Sequence, residues 1–130
     1  MEGAIQRLRK ERYLDDSGFA ARFARSRLKH QGLGRIRVRR ELERRGVARP
    51  VAEAGLRVAL EDVPEVASLD ALARRYWRLR VRDEPGRRLR KLCAFLVRRG
   101  FPAPLVWQRL VALWPRWKDA LDGMDPAEDE

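Results

Sequence analysis

The feature that most constrains this chain of 130 residues is an internal repeat. The segment Gly34–Val47 recurs 54 residues later as Arg88–Phe101, with the same order of apolar and basic residues. In the first copy Val38 and Leu42 lie on one side of a helix, and both correspond to leucines in the second copy. Each copy contains Arg-Arg-Gly, and glycine suits the left-handed residue that closes a helix. The chain is therefore expected to use one short helix twice, within two copies of one structural unit.

The repeated helices have a basic side opposite their apolar side. At about 100° per residue, Arg37, Arg40 and Arg44 of the first copy cluster opposite Val38 and Leu42. In the second copy, leucines and Cys93 form the inner side. Each single arginine is adequately explained as a solvated surface residue, but a basic side repeated in both copies favours a binding role. The candidate contact residues of these helices are Arg37, Arg40, Arg44, Arg87, Lys91 and Arg98.

Helices before and after the first copy complete a three-helix unit. The preceding helix is predicted over Ser17–His30, with Asp15 or Asp16 as its capping residue. The outward basic residues of this helix, also candidates for binding, are Arg22, Arg25 and Lys29. Arg27 falls on its apolar side, where it must extend to solvent, pair with an acid such as Asp16, or meet a partner. The following helix is predicted over Pro50–Glu61, and its inner side reads Val51, Ala54, Gly55 and Val58.

The same pattern returns in the second half of the chain. Asp62–Ala67 contains a proline and several charges and is predicted to be a linker, after which Ser68 caps the next helix. The inner residues of that helix are Leu69, Leu72, Ala73, Tyr76 and Leu79, and its candidate binding residues are Arg74, Arg78 and Arg82. Pro102 with Pro104 opens a last helix that is apolar over more than half its circumference. That pattern is typical of a core helix, although a partner could cover the excess.

These patterns predict an all-α fold of tandem three-helix units that resemble a helix-turn-helix. The units are expected at 14–62 and 67–115. Residues 1–13 would be the closing helix of a unit that begins earlier in the chain. Residues 116–130 would be an acidic, disordered tail. The tail is expected either to keep a basic protein soluble or to fold onto the basic helix sides as a mimic of a polyanion.

The charge of the chain points to polyanions as partners. Thirty basic and nineteen acidic residues give a net charge of +11. Six of the acids lie between Asp119 and Glu130, so the preceding 118 residues carry a net charge of +17. Such a charge favours nucleic acid first and an anionic membrane surface second. Most of the basic residues are arginines, which bind phosphate through two parallel hydrogen bonds.

Several kinds of chemistry find no support in the sequence. Cys93 is the single cysteine, so the chain has no intrachain disulfide and no cysteine cluster for a metal. His30 has no companion ligand, and no glycine-rich phosphate loop or nucleophile beside a base is present. No apolar run approaches the roughly 20 residues needed to span a bilayer. We therefore expect no cofactor, no enzymatic activity, no membrane association and a cytoplasmic location.

A set of short motifs resembles the bacterial RecX family, whose members regulate the RecA recombinase. The motifs are Tyr13–Asp16 (YLDD), Phe19–Phe23 (FAARF), Gly32–Gly34 (GLG), Arg37–Leu42 (RVRREL), Arg45–Val47 (RGV), Leu92–Leu96 (LCAFL) and Arg98–Phe101 (RRGF). The resemblance implies an elongated, right-handed or arc-like array of three-helix repeats, usually three of them. The first repeat would be largely missing here, and residues 1–13 would match its closing helix.

The resemblance implies a non-enzymatic regulator. Such a protein would bind RecA and its filament on single-stranded DNA, and would inhibit or modulate the recombinase, ATPase and co-protease activities. Its expected partners are the RecA filament and single-stranded DNA, with double-stranded DNA as a further possibility, and it is expected to be a monomer. The alternative is a general basic nucleic-acid-binding protein that acts without RecA.

Overall fold

The computed structural model describes residues 2–122, which contain seven α-helices, one short 3-10 helix and no β-strand. The predicted all-α class is confirmed. The elements are α1 Glu2–His30, α2 Arg35–Arg44, α3 Arg49–Asp62, α4 Glu65–Leu79, α5 Pro85–Arg98, α6 Ala103–Leu113, the 3-10 helix Pro115–Trp117 and α7 Lys118–Asp122. The C-terminal half of α1 with α2 and α3 forms the first unit, and α4 with α5 and α6 forms the second.

The internal repeat is visible in the structure. Val38 and Leu42 of α2 are completely buried in the first core, as are the equivalent leucines of α5 in the second core. Gly46 and Gly100 follow these helices with φ angles of 88° and 102°, so both adopt the left-handed conformation that favours glycine. The prediction of one helix design used twice, each copy closed by a glycine, is therefore confirmed.

Small residues hold α1 and α3 close together in the first unit. Ala20 and Ala24 of α1 are completely buried. A Cβ atom added at Gly55 of α3 would lie 2.7 Å from the Cβ of Ala20, which is closer than real Cβ atoms approach. The predicted close packing of the third helix is confirmed at Gly55. It is wrong at Val58, which is 53% exposed because it lies on the outer side of α3.

Helix α1 runs without a break from Glu2 to His30, so the predicted start of a separate helix at Ser17, capped by Asp15 or Asp16, is wrong. No glycine or proline interrupts the chain between Tyr13 and Asp16, and an aspartate inside a helix costs at most about 0.7 kcal/mol relative to alanine. Ending one helix and nucleating another costs more. The first turns of α1 lie outside the first core, since residues 3–12 are exposed, including Ile5 at 52% and Leu8 at 65%.

The second unit differs from the predictions at its edges. Ser68 lies in the first turn of α4 and does not cap it, because the helix already begins at Glu65 after the N-cap Pro64. Leu79 is the last residue of α4 and is 73% exposed, so its predicted inward position is wrong. The predicted disorder does not begin at residue 116, because Leu121 of α7 is completely buried in the second core. The rest of the expected tail, residues 123–130, lies outside the described residues.

The second unit caps the start of α2. The backbone N–H groups of Gly34 and Ile36 donate to the carbonyl oxygens of Arg99 and Gly100, at 2.8 and 3.0 Å. Between them, the N–H of Arg35 donates to Glu65 Oε2 at 3.2 Å. The first N–H groups of a helix have no partner inside the helix, and no side chain of the first unit caps α2. The second unit therefore supplies hydrogen bonds that α2 lacks, and this contact is called the junction below.

The junction requires the two backbones to approach closely. A Cβ atom at Gly34 would lie 2.3 Å from the carbonyl carbon of Gly100 and from the nitrogen of Phe101. Gly34 has a φ angle of −86°, which every residue tolerates, so only space demands glycine at this position.

The substitution Gly34→Ala is therefore expected to separate the two units. Loss of two backbone hydrogen bonds, at about 1 kcal/mol each, should lower the free energy of unfolding by about 2 kcal/mol. The control is Gly3→Ala, because nothing lies within 4 Å of a Cβ atom there; it should leave stability unchanged or raise it by less than about 1 kcal/mol. Urea denaturation followed by far-UV circular dichroism measures both, and equal stability of the two variants would contradict the described junction.

Candidate polyanion-binding groove

A groove lies between the two units, beside the junction. Its volume is about 650 Å³, and one wall is α2 while the other is the end of α5 and the start of α6. We call it the inter-repeat groove. Its lining residues are Ile36, Arg37, Arg40, Arg44, Val97, Arg98, Gly100, Phe101 and Ala103. The lining contains four arginines and no carboxylate, so the groove is strongly cationic.

The arginines of α2 form a row along one wall of the groove. Arg37, Arg40 and Arg44 are separated by three and four residues, which places them roughly 4.5 and 6 Å apart along the helix axis. All three are exposed, as is Arg98 on the opposite wall. Among the side chains that the structure describes, no carboxylate pairs with Arg40, Arg44 or Arg98, although nine other ion pairs occur. These guanidinium groups are therefore available to an anionic partner.

Arg37 is held in place from within the first unit. Its Nε lies 3.5 Å from Oε1 of Glu41, whose other oxygen accepts a hydrogen bond of 3.2 Å from Arg27 Nε. Arg27 also packs its guanidinium 4.5 Å from the centre of the Phe23 ring. The apolar position of Arg27 is thus explained by pairing with Glu41, and not with Asp16. Glu41 links α1 to α2 and orients the first arginine of the row.

The other predicted binding residues lie outside the inter-repeat groove. Those of α1 are exposed, and Arg25 is 3.5 Å from Asp62 in a solvent-exposed ion pair. Lys91 is half-buried and pairs with Asp83 at 3.4 Å. The structure therefore brings together Arg37, Arg40, Arg44 and Arg98, and leaves the remaining eight on other surfaces: Arg22, Arg25, Lys29, Arg74, Arg78, Arg82, Arg87 and Lys91.

The sequence prediction missed a buried arginine in α5. Arg88 is only 8% exposed, its guanidinium lies 3.7 Å from the centre of the Trp77 ring, and it donates a hydrogen bond to the carbonyl oxygen of Trp77. Burial lowers the pKa of Arg88, and the charge of Asp83 opposes this effect. Arg88 precedes Leu92 by four residues, so the helical period already places it on the buried side. Its contacts are those of a structural residue that joins α4 to α5.

A second groove, which the sequence prediction also missed, lies on the second unit. We call it the aromatic groove, and its volume is about 490 Å³. Its lining residues are Leu72, Arg75, Tyr76, Leu79, Arg80, Phe95 and Arg99. Helical periodicity places Arg75 on the outer side of α4, but Arg80 and Arg99 follow the ends of their helices, where periodicity no longer fixes the direction of a side chain.

The junction contains an acid with an altered pKa. The side chain of Glu65 is only 10% exposed. Burial raises the pKa of this carboxyl group, while the charge and the backbone hydrogen bond of Arg35 act in the opposite direction. Glu65 therefore contributes a hydrogen-bond acceptor to the junction and is not a free carboxylate at the groove.

Other kinds of site are not found in the part of the chain that the structure describes. Between residues 2 and 122, no group of three or more histidine, cysteine, aspartate or glutamate residues could hold a metal ion. None of the helices in the same range is long and apolar enough to cross a membrane.

Comparison with known proteins identifies both units. Residues 15–56 match the family model described as RecX, second three-helix domain, and residues 64–110 match RecX, third three-helix domain. Proteins called Regulatory protein RecX are similar to the chain in three organisms. The protein of Geobacillus kaustophilus is 35% identical over 107 residues, covering 82% of this chain and 39% of the relative. The protein of Deinococcus radiodurans is 30% identical over 107 residues, covering 82% of this chain and 49% of the relative.

The match with the third relative spans a larger share of that protein. The protein of Trichlorobacter lovleyi is 32% identical over 106 residues, which are 81% of this chain and 69% of the relative. The chain spans about half or less of the length of the other two relatives. No solved structure matches the chain. Two consecutive domains of one family, in order and with these relatives, show that the chain belongs to the RecX family.

Proposed function

We propose that the protein is a non-enzymatic regulator that binds RecA and its filament on single-stranded DNA, and thereby limits ATP hydrolysis, strand exchange and co-protease activity. The family supports a regulatory role. The observation that carries the proposal is the inter-repeat groove, where four exposed arginines from two units face one cationic cleft. The regulator would act as a monomer in the cytoplasm, where the recombinase works.

The chemistry of the groove suits a phosphodiester backbone. A guanidinium group binds a phosphate through two parallel hydrogen bonds, and release of counterions from the nucleic acid favours the complex. The lining contains no asparagine or glutamine, the side chains that pair with adenine. The proposed contact is therefore with phosphates and does not depend on base sequence. A protein that acts along a filament needs this kind of contact. The eight basic residues outside the groove would add long-range attraction.

The proposed regulation requires only that the protein bind to the filament, and it involves no catalysed reaction. The residues that line the groove include no nucleophile, no general base and no metal ligand. A protein seated along the filament would instead block its growth and the movements that ATP hydrolysis and strand exchange require.

The alternative function is general nucleic-acid binding without RecA. It draws support from the arginines of the groove, because unpaired guanidinium groups suffice for nonspecific binding to phosphate. The two functions differ in their dependence on salt. Binding by phosphate contacts alone falls steeply with ionic strength, whereas a complex with protein contacts as well should lose less affinity.

Titration into RecA on single-stranded DNA, at near-physiological salt, separates the two functions. We expect inhibition of ATP hydrolysis at protein concentrations well below that of RecA, because one molecule in a filament affects many RecA subunits. Inhibition that requires saturation of the bare DNA would contradict the proposal and favour the general binder. The readout is the steady-state rate of phosphate release.

Reversing the charges of the α2 row should weaken binding to single-stranded DNA. The triple variant Arg37→Glu, Arg40→Glu, Arg44→Glu is expected to lose at least about ten-fold in affinity for a fluorescein-labelled dT oligonucleotide, because the groove changes from cationic to acidic on one wall. Helical content should change little, since the three side chains are exposed and loss of the Arg37–Glu41 pair, between residues four apart, costs only about 0.5 kcal/mol.

The matched control reverses three exposed arginines of the second unit: Arg74→Glu, Arg78→Glu and Arg82→Glu. It changes the net charge by the same amount but leaves the groove intact, so a smaller loss of affinity is expected. Equal losses in the two triple variants would show that net charge, and not the groove, determines binding.

A further inference from the structure

The aromatic groove differs in chemistry from the inter-repeat groove. The rings of Tyr76 and Phe95 stack in it, with centroids 5.1 Å apart and planes at 27°. Leu79 beside them is 73% exposed, and Val81, two residues further on, is 69% exposed. An aliphatic and aromatic surface of this kind favours an apolar side chain of a partner.

Arginines surround this apolar surface. Arg75, Arg80 and Arg99 line the groove, and no carboxylate does. Neither Arg75 nor Arg80 belongs to any ion pair between the side chains that the structure describes. The groove is thus complementary in charge to an acidic segment and complementary in polarity to an apolar side chain at its centre.

The ring faces themselves are already occupied. The ring of Tyr76 stacks against Phe95, and the guanidinium of Arg80 lies 4.5 Å from the centre of the Tyr76 ring. Arg99 lies 5.8 Å from the ring centre of Phe95. A nucleobase needs a free aromatic face to stack upon. The surface that remains open is aliphatic, and this favours a protein partner over a nucleobase.

The aromatic groove lies next to the junction. The backbone carbonyl of Arg99 accepts the hydrogen bond from Gly34. The side chain of the same arginine lines the aromatic groove and donates to the carbonyl oxygen of Gln31. One residue therefore connects the aromatic groove to the junction, which lies beside the inter-repeat groove.

We propose that the aromatic groove is a docking site for an acidic protein segment that inserts an apolar side chain against Leu79, beside the aromatic pair. This inference rests on the proposed function, and it assigns the segment to the recombinase side of the complex. The inter-repeat groove then contacts DNA phosphate while the aromatic groove contacts protein. Two contacts of different chemistry restrict binding to places where DNA and recombinase occur together.

The test is the double variant Leu79→Ser, Arg80→Glu, which removes the apolar contact and reverses one charge of the groove. Its matched control is Leu8→Ser, Arg9→Glu, the same pair of changes at an exposed Leu-Arg dipeptide on the first turns of α1. Fluorescence anisotropy would measure binding of each protein to RecA filaments on a dT oligonucleotide and, separately, to the bare oligonucleotide. Far-UV circular dichroism checks the fold, and Arg75→Glu serves as a second, milder variant of the groove.

The groove variant is expected to lose at least about ten-fold in affinity for the filament, with a change of less than about three-fold for bare DNA. The control should keep both affinities. Unchanged filament affinity of a folded groove variant would overturn the docking site and leave the proposed function intact. A loss on bare DNA as large as on the filament would instead identify the groove as a nucleic-acid surface. Failure of the unmodified protein to bind filaments more tightly than bare DNA would overturn the proposed function, and the docking site with it.

Discussion

The hydrogen bonds by which the second unit caps helix α2 are the contact on which the rest of the structure depends. Gly34 and Ile36 donate to backbone carbonyls that follow α5, and Arg35 donates to Glu65 at the start of α4. Helix α2 has only ten residues, and helices of that length are unstable in water without packing and caps. Its outward arginines are one wall of the inter-repeat groove. The same contact therefore stabilises the helix and positions its charges.

The basic helices α2 and α5 are capped in different ways, although the two units share one design. In the second unit, the two carboxylate oxygens of Glu84 accept hydrogen bonds from Gly86 and Arg87, at 2.9 and 3.0 Å, and these bonds lower the pKa of Glu84. The second unit thus caps its own basic helix, whereas α2 is capped by the unit that follows it. Capping of α2 by the next unit couples the two neighbouring repeats, because the start of this helix depends on the glycine turn at Gly100.

Helical periodicity predicts which residues of one helix are buried. It does not predict contacts between residues of separate helices. The burial of Val38 and the left-handed Gly46 and Gly100 follow from spacing and turn chemistry within one segment. The partner of Arg27 lies fourteen residues away on another helix, and no local pattern indicates Glu41. The grouping of Arg98 with the α2 row depends on how the units pack, which the sequence pattern does not contain. The missed aromatic groove likewise combines residues from α4 and α5 with Arg99 after a helix end.

Under the proposed function, the polyanion binds a surface that the two units form together, so binding depends on the junction as well as on net charge. The most direct measurement is the salt dependence of binding to a dT oligonucleotide, compared between the unmodified protein and Gly34→Ala, which keeps every charge. The slope of log K against log salt should become shallower by about 0.7 for each phosphate that the opened groove no longer binds. We expect Gly34→Ala to neutralise fewer phosphates than the unmodified protein, by at least one. An identical slope for a folded Gly34→Ala protein with a weakened junction would contradict this expectation.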